Sequence, residues 1–125
     1  MLGDAELVAF VATADAERAR DFYERVLGLR FVEDGPFALL FDAGGVPVRV
    51  QKVDRVSPPS GTVLGWSVPD VEAVVRGLSE RGLSVLCYEG IAQDALGIWT
   101  SPGGARIAWF ADPDGNVLSV TEAAS

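Results

Sequence analysis

The chain contains no histidine, a single cysteine, Cys87, and a single lysine, Lys52. Most side-chain chemistry that breaks bonds is therefore missing its usual base or ligand. Ser119 has neither an imidazole nor a lysine near it in sequence to activate its hydroxyl. Cys87 sits in the apolar run Ser84–Val85–Leu86–Cys87–Tyr88 and reads as a buried, inert thiol. Asp112 and Asp114 have the spacing of an acid pair, but Asp112–Pro113–Asp114–Gly115–Asn116 is the composition of a tight turn, which accounts for both. Gly44–Gly45 and Gly103–Gly104 do not open helices, so neither reads as a phosphate loop. What remains is the chemistry of binding. Trp99 and Trp109 can stack on a flat ligand, Ser67, Ser119 and Thr121 offer hydroxyls, Gln51 an amide, and Arg49 one cation.

These residues must be positioned by the elements around them, and the sequence divides near its middle. Ser57–Pro58–Pro59–Ser60–Gly61 is the strongest break, with a linker over 54–61 between one module at about 6–53 and a second at about 62–122. Shifting the sequence by 55 residues aligns Asp15 with Asp70, Glu17 with Glu72 and Val8 with Val63. In the first half, Ala19, Phe22, Tyr23, Val26 and Leu27 have the spacing of one helical face. Asp15 stands at the N-cap and Gly28 at the end. The second half repeats the design, with Asp70, then Val71, Val74, Val75 and Leu78, then Gly82. β-type runs follow each helix: Leu29–Glu33, Phe37–Phe41 and Val46–Val53, then Ser84–Tyr88, Arg106–Ala111 and Val117–Glu122. Each half is thus β-α-β-β-β, and the fold class is α+β. A single such half leaves one face of its sheet uncovered, so the two halves are expected to pack together. The stretch Glu89–Gly104 has no counterpart in the first half. It reads as an insertion with Ile98–Trp99–Thr100 as an extra strand, either facing a ligand or serving as an interface or disordered loop.

Composition narrows the class further. At 125 residues the chain fits one domain, and its 49% hydrophobic and 22% charged residues suit a packed core. The net charge of −8 argues against nucleic acid and anionic lipid as partners. No apolar stretch is long enough to span a membrane, and Met1–Leu2–Gly3–Asp4 lacks the basic start of a signal peptide, so the expected compartment is the cytoplasm.

The run Asp15…Phe22–Tyr23–Glu24–Arg25–Val26–Leu27–Gly28 resembles the first-helix signature of the vicinal oxygen chelate superfamily. That superfamily contains glyoxalase I, extradiol dioxygenases, fosfomycin-resistance enzymes and bleomycin-resistance proteins. Asp112–Pro113–Asp114–Gly115–Asn116–Val117–Leu118 is similar to its closing hairpin. The resemblance covers Glu6 to Glu122 and implies two paired β-α-β-β-β modules whose strands curve into an eight-stranded cup, with helices outside and the site within. Metal-dependent members chelate a divalent cation with one residue from the first and last strands of each half. Carried over, those positions are Val8, Arg49 (or its neighbour Gln51), Val63 and Ser119. Two valines, an arginine and a serine make no metal cage, so the expectation is no metal and no cofactor. The resemblance also implies a homodimer, and exposed sheet edges agree.

Strand alternation then gives the cup lining as Val8, Phe10 and Ala12, Arg49 and Gln51, Val63, Gly65 and Ser67, Ile107 and Trp109, and Val117, Ser119 and Thr121, with Trp99 from the insertion. Leu64, Trp66, Val68, Leu118 and Val120 point outward under the helices. An apolar, aromatic pocket with a few hydroxyls and one cation suits a small organic ligand, aromatic or anionic. The leading reading is a non-catalytic binding protein similar in kind to bleomycin-resistance proteins. One alternative is a metal-free lyase- or isomerase-like enzyme holding an anionic substrate with Arg49, with Glu89 or Asp94 moving a proton. Another is a vestigial cup with an assembly or regulatory role. Phe10 and Trp109 as plain core, and Arg49 on a slipped or edge strand, are the structural alternatives.

Overall fold

The computed structural model describes residues 1–125 and divides into two compact units, Met1–Pro58 and Pro59–Ser125. In the first, a short 3-10 turn at Leu2–Asp4 precedes β1 (Ala9–Thr13), α1 (Ala16–Arg20), a π-helical segment (Asp21–Val26), β2 (Arg30–Asp34), β3 (Ala38–Ala43) and β4 (Val46–Lys52). In the second, the order is β5 (Thr62–Ser67), α2 (Val71–Glu80), β6 (Trp99–Thr100), β7 (Arg106–Ala111) and β8 (Val117–Glu122). Each unit is β-α-β-β-β and carries one four-stranded sheet. The sheet orders are β1-β4-β3-β2 and β5-β8-β7-β6. In both, the first strand pairs parallel with the last and the remaining pairs are antiparallel. The fold class is α+β.

The 55-residue repeat is visible in the backbone itself. Asp15 accepts a bond from the Arg18 amide at 3.2 Å and Asp70 one from the Ala73 amide at 3.1 Å. Their dihedral angles are nearly the same, −144°/93° and −145°/96°. Both are side-chain N-caps in extended backbone, closing amide groups that the first turn cannot satisfy. At its other end α2 stops in a Schellman motif: the Leu83 amide donates to the Leu78 carbonyl and the Gly82 amide to the Ser79 carbonyl, both at 3.0 Å. Gly82 takes the left-handed φ of +85° that this motif requires.

The first helix departs from a uniform α-helix. After Arg20 the chain widens into π-type turns, with the Leu27 amide reaching the Phe22 carbonyl. The wider turn lets consecutive aromatics, Phe22 and Tyr23, both be buried. Tyr23 lies against Phe41 at 5.9 Å between ring centres, Phe31 against Phe41 at 5.5 Å, and the Arg20 guanidinium covers Phe31 at 3.7 Å. Phe41 thereby marks the helix-side face of the first sheet, where Val11, Thr13, Leu39, Val48 and Val50 are also buried. In the second unit α2 packs across β7 and β8. Val71, Val75 and Leu78 are buried there, as are Ala108, Phe110, Leu118 and Val120 of the sheet.

The segment Ser84–Tyr88 is not a strand, contrary to the pattern of its sequence. Only the Leu86 amide reaches β7, donating to the Trp109 carbonyl at 2.7 Å. The side chain of Gln93 intercepts the neighbouring backbone groups instead. Its Oε1 accepts from the Tyr88 amide at 2.7 Å, and its Nε2 donates to the carbonyls of Leu86 at 2.9 Å and Gly97 at 2.8 Å. One amide side chain thus satisfies groups that a partner strand would otherwise take. The strand beside β7 is Trp99–Thr100, paired with Ile107 and Arg106. The stretch Glu89–Gly104 therefore holds the module's own second strand, not an additional one. Cys87 is correspondingly exposed, where the apolar run around it implied burial.

Candidate functional site

Each sheet has one face under its helix and one that carries no helix of its own unit. Cross-strand pairs share a face, so the register sorts the residues. On the first sheet, Phe10 pairs with Arg49 and Arg49 with Leu40, while Ala12 pairs with Gln51 and Gln51 with Ala38. These point away from Phe41 and the helix. Phe10 is 52% exposed, Gln51 is exposed, and Arg49 and Leu40 are half-buried. On the second sheet, Gly65 pairs with Ser119 and Ser119 with Trp109, while Ser67 pairs with Thr121 and Thr121 with Ile107. Trp99 continues that row beside Ile107. Leu64, Trp66, Leu118 and Val120 fall in the opposite parity, on the helix side. The bulge between Thr62 and Leu64 leaves Val63 as the extra residue opposite Val117. Val8 lies one residue before β1 and is partly exposed.

The two registers also settle which residue of β4 corresponds to Ser119. Phe10 and Gly65 are related by the 55-residue shift, and their partners on the last strands are Arg49 and Ser119. Gln51 corresponds in the same way to Thr121. The four positions at which the resemblance places a metal are therefore Val8, Arg49, Val63 and Ser119. They supply one neutral hydroxyl, one cation and two hydrocarbon side chains, which does not fit any divalent ion. No group of three or more His, Cys, Asp or Glu side chains elsewhere is arranged to hold one. Elemental analysis of protein purified without chelator should give far less than one equivalent of zinc, nickel, iron or manganese. A full equivalent, lost together with stability on chelation, would refute this.

The second sheet's open face is dominated by aromatic groups. Trp109 is met edge-on by Tyr88, with centroids 5.6 Å apart and planes at 85°, and obliquely by Trp99 at 6.1 Å and 32°. These are favourable ring arrangements. Tyr88 was not legible as a site residue, because its run looks like a strand and nothing in the sequence signals the Gln93 contact that brings it here. The place of Leu40 likewise follows from the register alone.

The polar residues differ sharply in how much they are already occupied. Arg49 makes no ion pair and no side-chain hydrogen bond, although it is half-buried between Phe10 and Leu40. Lys52 is engaged by Asp34 and by the Gly35 carbonyl. Asp94 is tied into its own turn, accepting from the amides of Leu96 and Ile98 at 2.9 Å, and its other oxygen lies 3.9 Å from Arg106. Asp112 is a turn residue, receiving the Asp114 and Asn116 amides. A separate cleft of about 270 Å³, lined by Leu83, Val85, Cys87 and Leu96 among others, contains no charged side chain. Nothing in it activates the thiol.

A model of the Glyoxalase/Bleomycin resistance protein/Dioxygenase superfamily matches residues 7–120. Among solved structures, a member of that superfamily from Sphaerobacter thermophilus aligns with a TM-score of 0.76 at 24% identity, covering 98% of this chain and 100% of the other. A lactoylglutathione lyase from Agrobacterium tumefaciens aligns with a TM-score of 0.73 at 19% identity, covering 95% and 93%. TioX from Micromonospora sp. ML1 gives 0.71 at 24%, covering 94% and 98%. Comparison with curated proteins gives no match. The structural likenesses establish the fold, and the family model establishes membership: the chain belongs to the Glyoxalase/Bleomycin resistance protein/Dioxygenase superfamily.

Proposed function

We propose that this protein is a metal-independent binder of small organic molecules, holding them on the open faces of its sheets and acting by sequestration. The observation that carries this reading is the aromatic group of Trp109, Trp99 and Tyr88, which stands on a sheet face that α2 does not cover. A core of that size would ordinarily be buried, whereas here Tyr88 is 42% exposed and both tryptophans are half-exposed. Flat aromatic ligands are the chemistry that such a surface accepts. Binding requires no base, nucleophile or metal, and the side chains around the cluster supply none.

Titration of planar aromatics by calorimetry tests the reading. Trp109→Ala is expected to weaken those that bind by at least about 1 kcal/mol, the usual worth of one aromatic contact, to which the lost buried area adds. Circular dichroism of the variant controls for folding. Unchanged affinity in a folded variant, or conversion of the bound compound to product, would contradict it.

The unpaired Arg49 favours a second reading, a metal-free enzyme acting on a small anion. Its proton carrier is the difficulty, because Asp94 is committed to its turn and to Arg106 while Glu89 is exposed on the loop. Turnover of oxo-acids by purified protein would favour this reading over sequestration.

A further inference from the structure

The row Gly65–Ser119–Trp109 on the second sheet differs from its counterpart Phe10–Arg49–Leu40 on the first in one telling way. Where the first module places the large ring of Phe10, the second has no side chain at all. A Cβ at residue 65 would lie 2.9 Å from Ser119 Oγ and 3.7 Å from the Ser119 carbonyl oxygen. The first distance is closer than side chains tolerate, so glycine is what leaves the hydroxyl approachable. Ser119 is only 9% exposed, yet its hydroxyl has no hydrogen-bond partner in the protein. No side-chain oxygen or nitrogen in the protein is both shut off from solvent and unpartnered, so Oγ is reached from outside. An unpartnered hydroxyl that opens to solvent keeps its donor and acceptor capacity for water or for a ligand oxygen that displaces it.

We propose that Ser119 Oγ is the polar anchor for a planar aromatic ligand whose ring edge carries a hydroxyl or carbonyl oxygen. The ring lies against Trp109, and its oxygen enters the slot left by Gly65. Ser119 and Gly65 thus select among aromatics, while Trp109 holds them all. The position that a metal-dependent relative would use for a ligand becomes a hydrogen-bonding one. This inference rests on the binding function proposed above and adds the class of ligand.

The test compares 2-naphthol with naphthalene by calorimetry on the intact protein. Ser119→Ala removes an oxygen with no internal partner, so the fold should survive. The affinity ratio of 2-naphthol to naphthalene is expected to fall about three- to tenfold in that variant, the loss of one neutral hydrogen bond. Naphthalene itself should be unaffected. Gly65→Ala, which forces the hydroxyl to rotate away, should lower the ratio similarly. In Gly65→Ala/Ser119→Ala the Cβ no longer meets Oγ, and the ratio should equal that of Ser119→Ala alone. An unchanged ratio in Ser119→Ala, with both compounds still weakened by Trp109→Ala, overturns the anchor and leaves the binding function standing. Absence of binding by either compound, or indifference of both to Trp109→Ala, overturns the two together.

Discussion

Replacing Arg49 by alanine is expected to weaken the binding of small aromatic carboxylates by about 1.5–3 kcal/mol, the worth of a charge-assisted hydrogen bond. The side chain projects from the middle of β4, between Phe10 on β1 and Leu40 on β3. Four other cations of that module are matched. Arg20 pairs with Glu24, Arg25 with Asp21, Arg30 with Asp42, and Lys52 with Asp34. Arg49 alone among the cations of its strands has no carboxylate, and its same-face neighbours are hydrocarbon apart from Gln51 and Glu33, the latter beyond Leu40. A half-buried guanidinium flanked by apolar groups attracts an anion more strongly than an exposed one, since less water competes. Arg49→Lys should retain part of the effect, because it keeps the charge and loses the two-pronged geometry. Calorimetry with benzoate and with benzylamine on wild type and both variants measures it. A benzylammonium ion that binds well and is indifferent to Arg49→Ala would show that this face takes cations, as the net charge of −8 would otherwise suggest.

The legible parts of this fold were those written in local, short-range terms. The caps Asp15 and Asp70 and the stops Gly28 and Gly82 can be read because capping involves residues three or four apart. The parity that puts Phe10, Arg49, Ser67, Trp109 and Ser119 on one side of their strands follows from the two-residue period of a strand. Local pattern misleads where a distant residue overrides it. Ser84–Tyr88 has the composition of a strand, yet Gln93 takes its backbone groups and Trp99–Thr100 takes its place beside β7. Exposure of Cys87 and the approach of Tyr88 to Trp109 follow from that one substitution of partners. The π-helical turns after Arg20 were hidden for another reason: hydrophobic spacing fits an α-helix nearly as well, and the distinguishing bond, from Leu27 to Phe22, is a backbone matter.

The hairpin that joins β7 to β8 determines whether Trp109 and Ser119 face each other, and Asp112 holds that hairpin. Its residue is 5% exposed, and Asn116 beside it 3%. Oδ1 accepts the amides of Asp114 at 3.0 Å and Asn116 at 2.9 Å, while Oδ2 accepts Asn116 Nδ2 at 2.9 Å. The backbone closes the same loop, with the Asp112 amide donating to the Asn116 carbonyl. Alanine at this position would remove the carboxylate that accepts all three of these donors, in a loop too tight to rearrange freely. Hydrogen bonds to charged groups are worth about 1.5–3 kcal/mol each but do not add fully, so Asp112→Ala should cost about 3 kcal/mol of stability. Asp112→Asn keeps an oxygen for the two amides, and Asn116 can turn its own amide to meet the new NH2 group, so its cost should be about 1 kcal/mol. Chemical denaturation of the three proteins gives these differences. Equal stability of wild type and Asp112→Ala would mean that the backbone bonds suffice to set the turn. A functional consequence separates this from ordinary loop stability: because Ala111 pairs with Val117 at the mouth of the hairpin and Trp109 with Ser119 just beyond, Asp112→Ala should also blunt the preference for 2-naphthol over naphthalene under conditions where the variant is still folded.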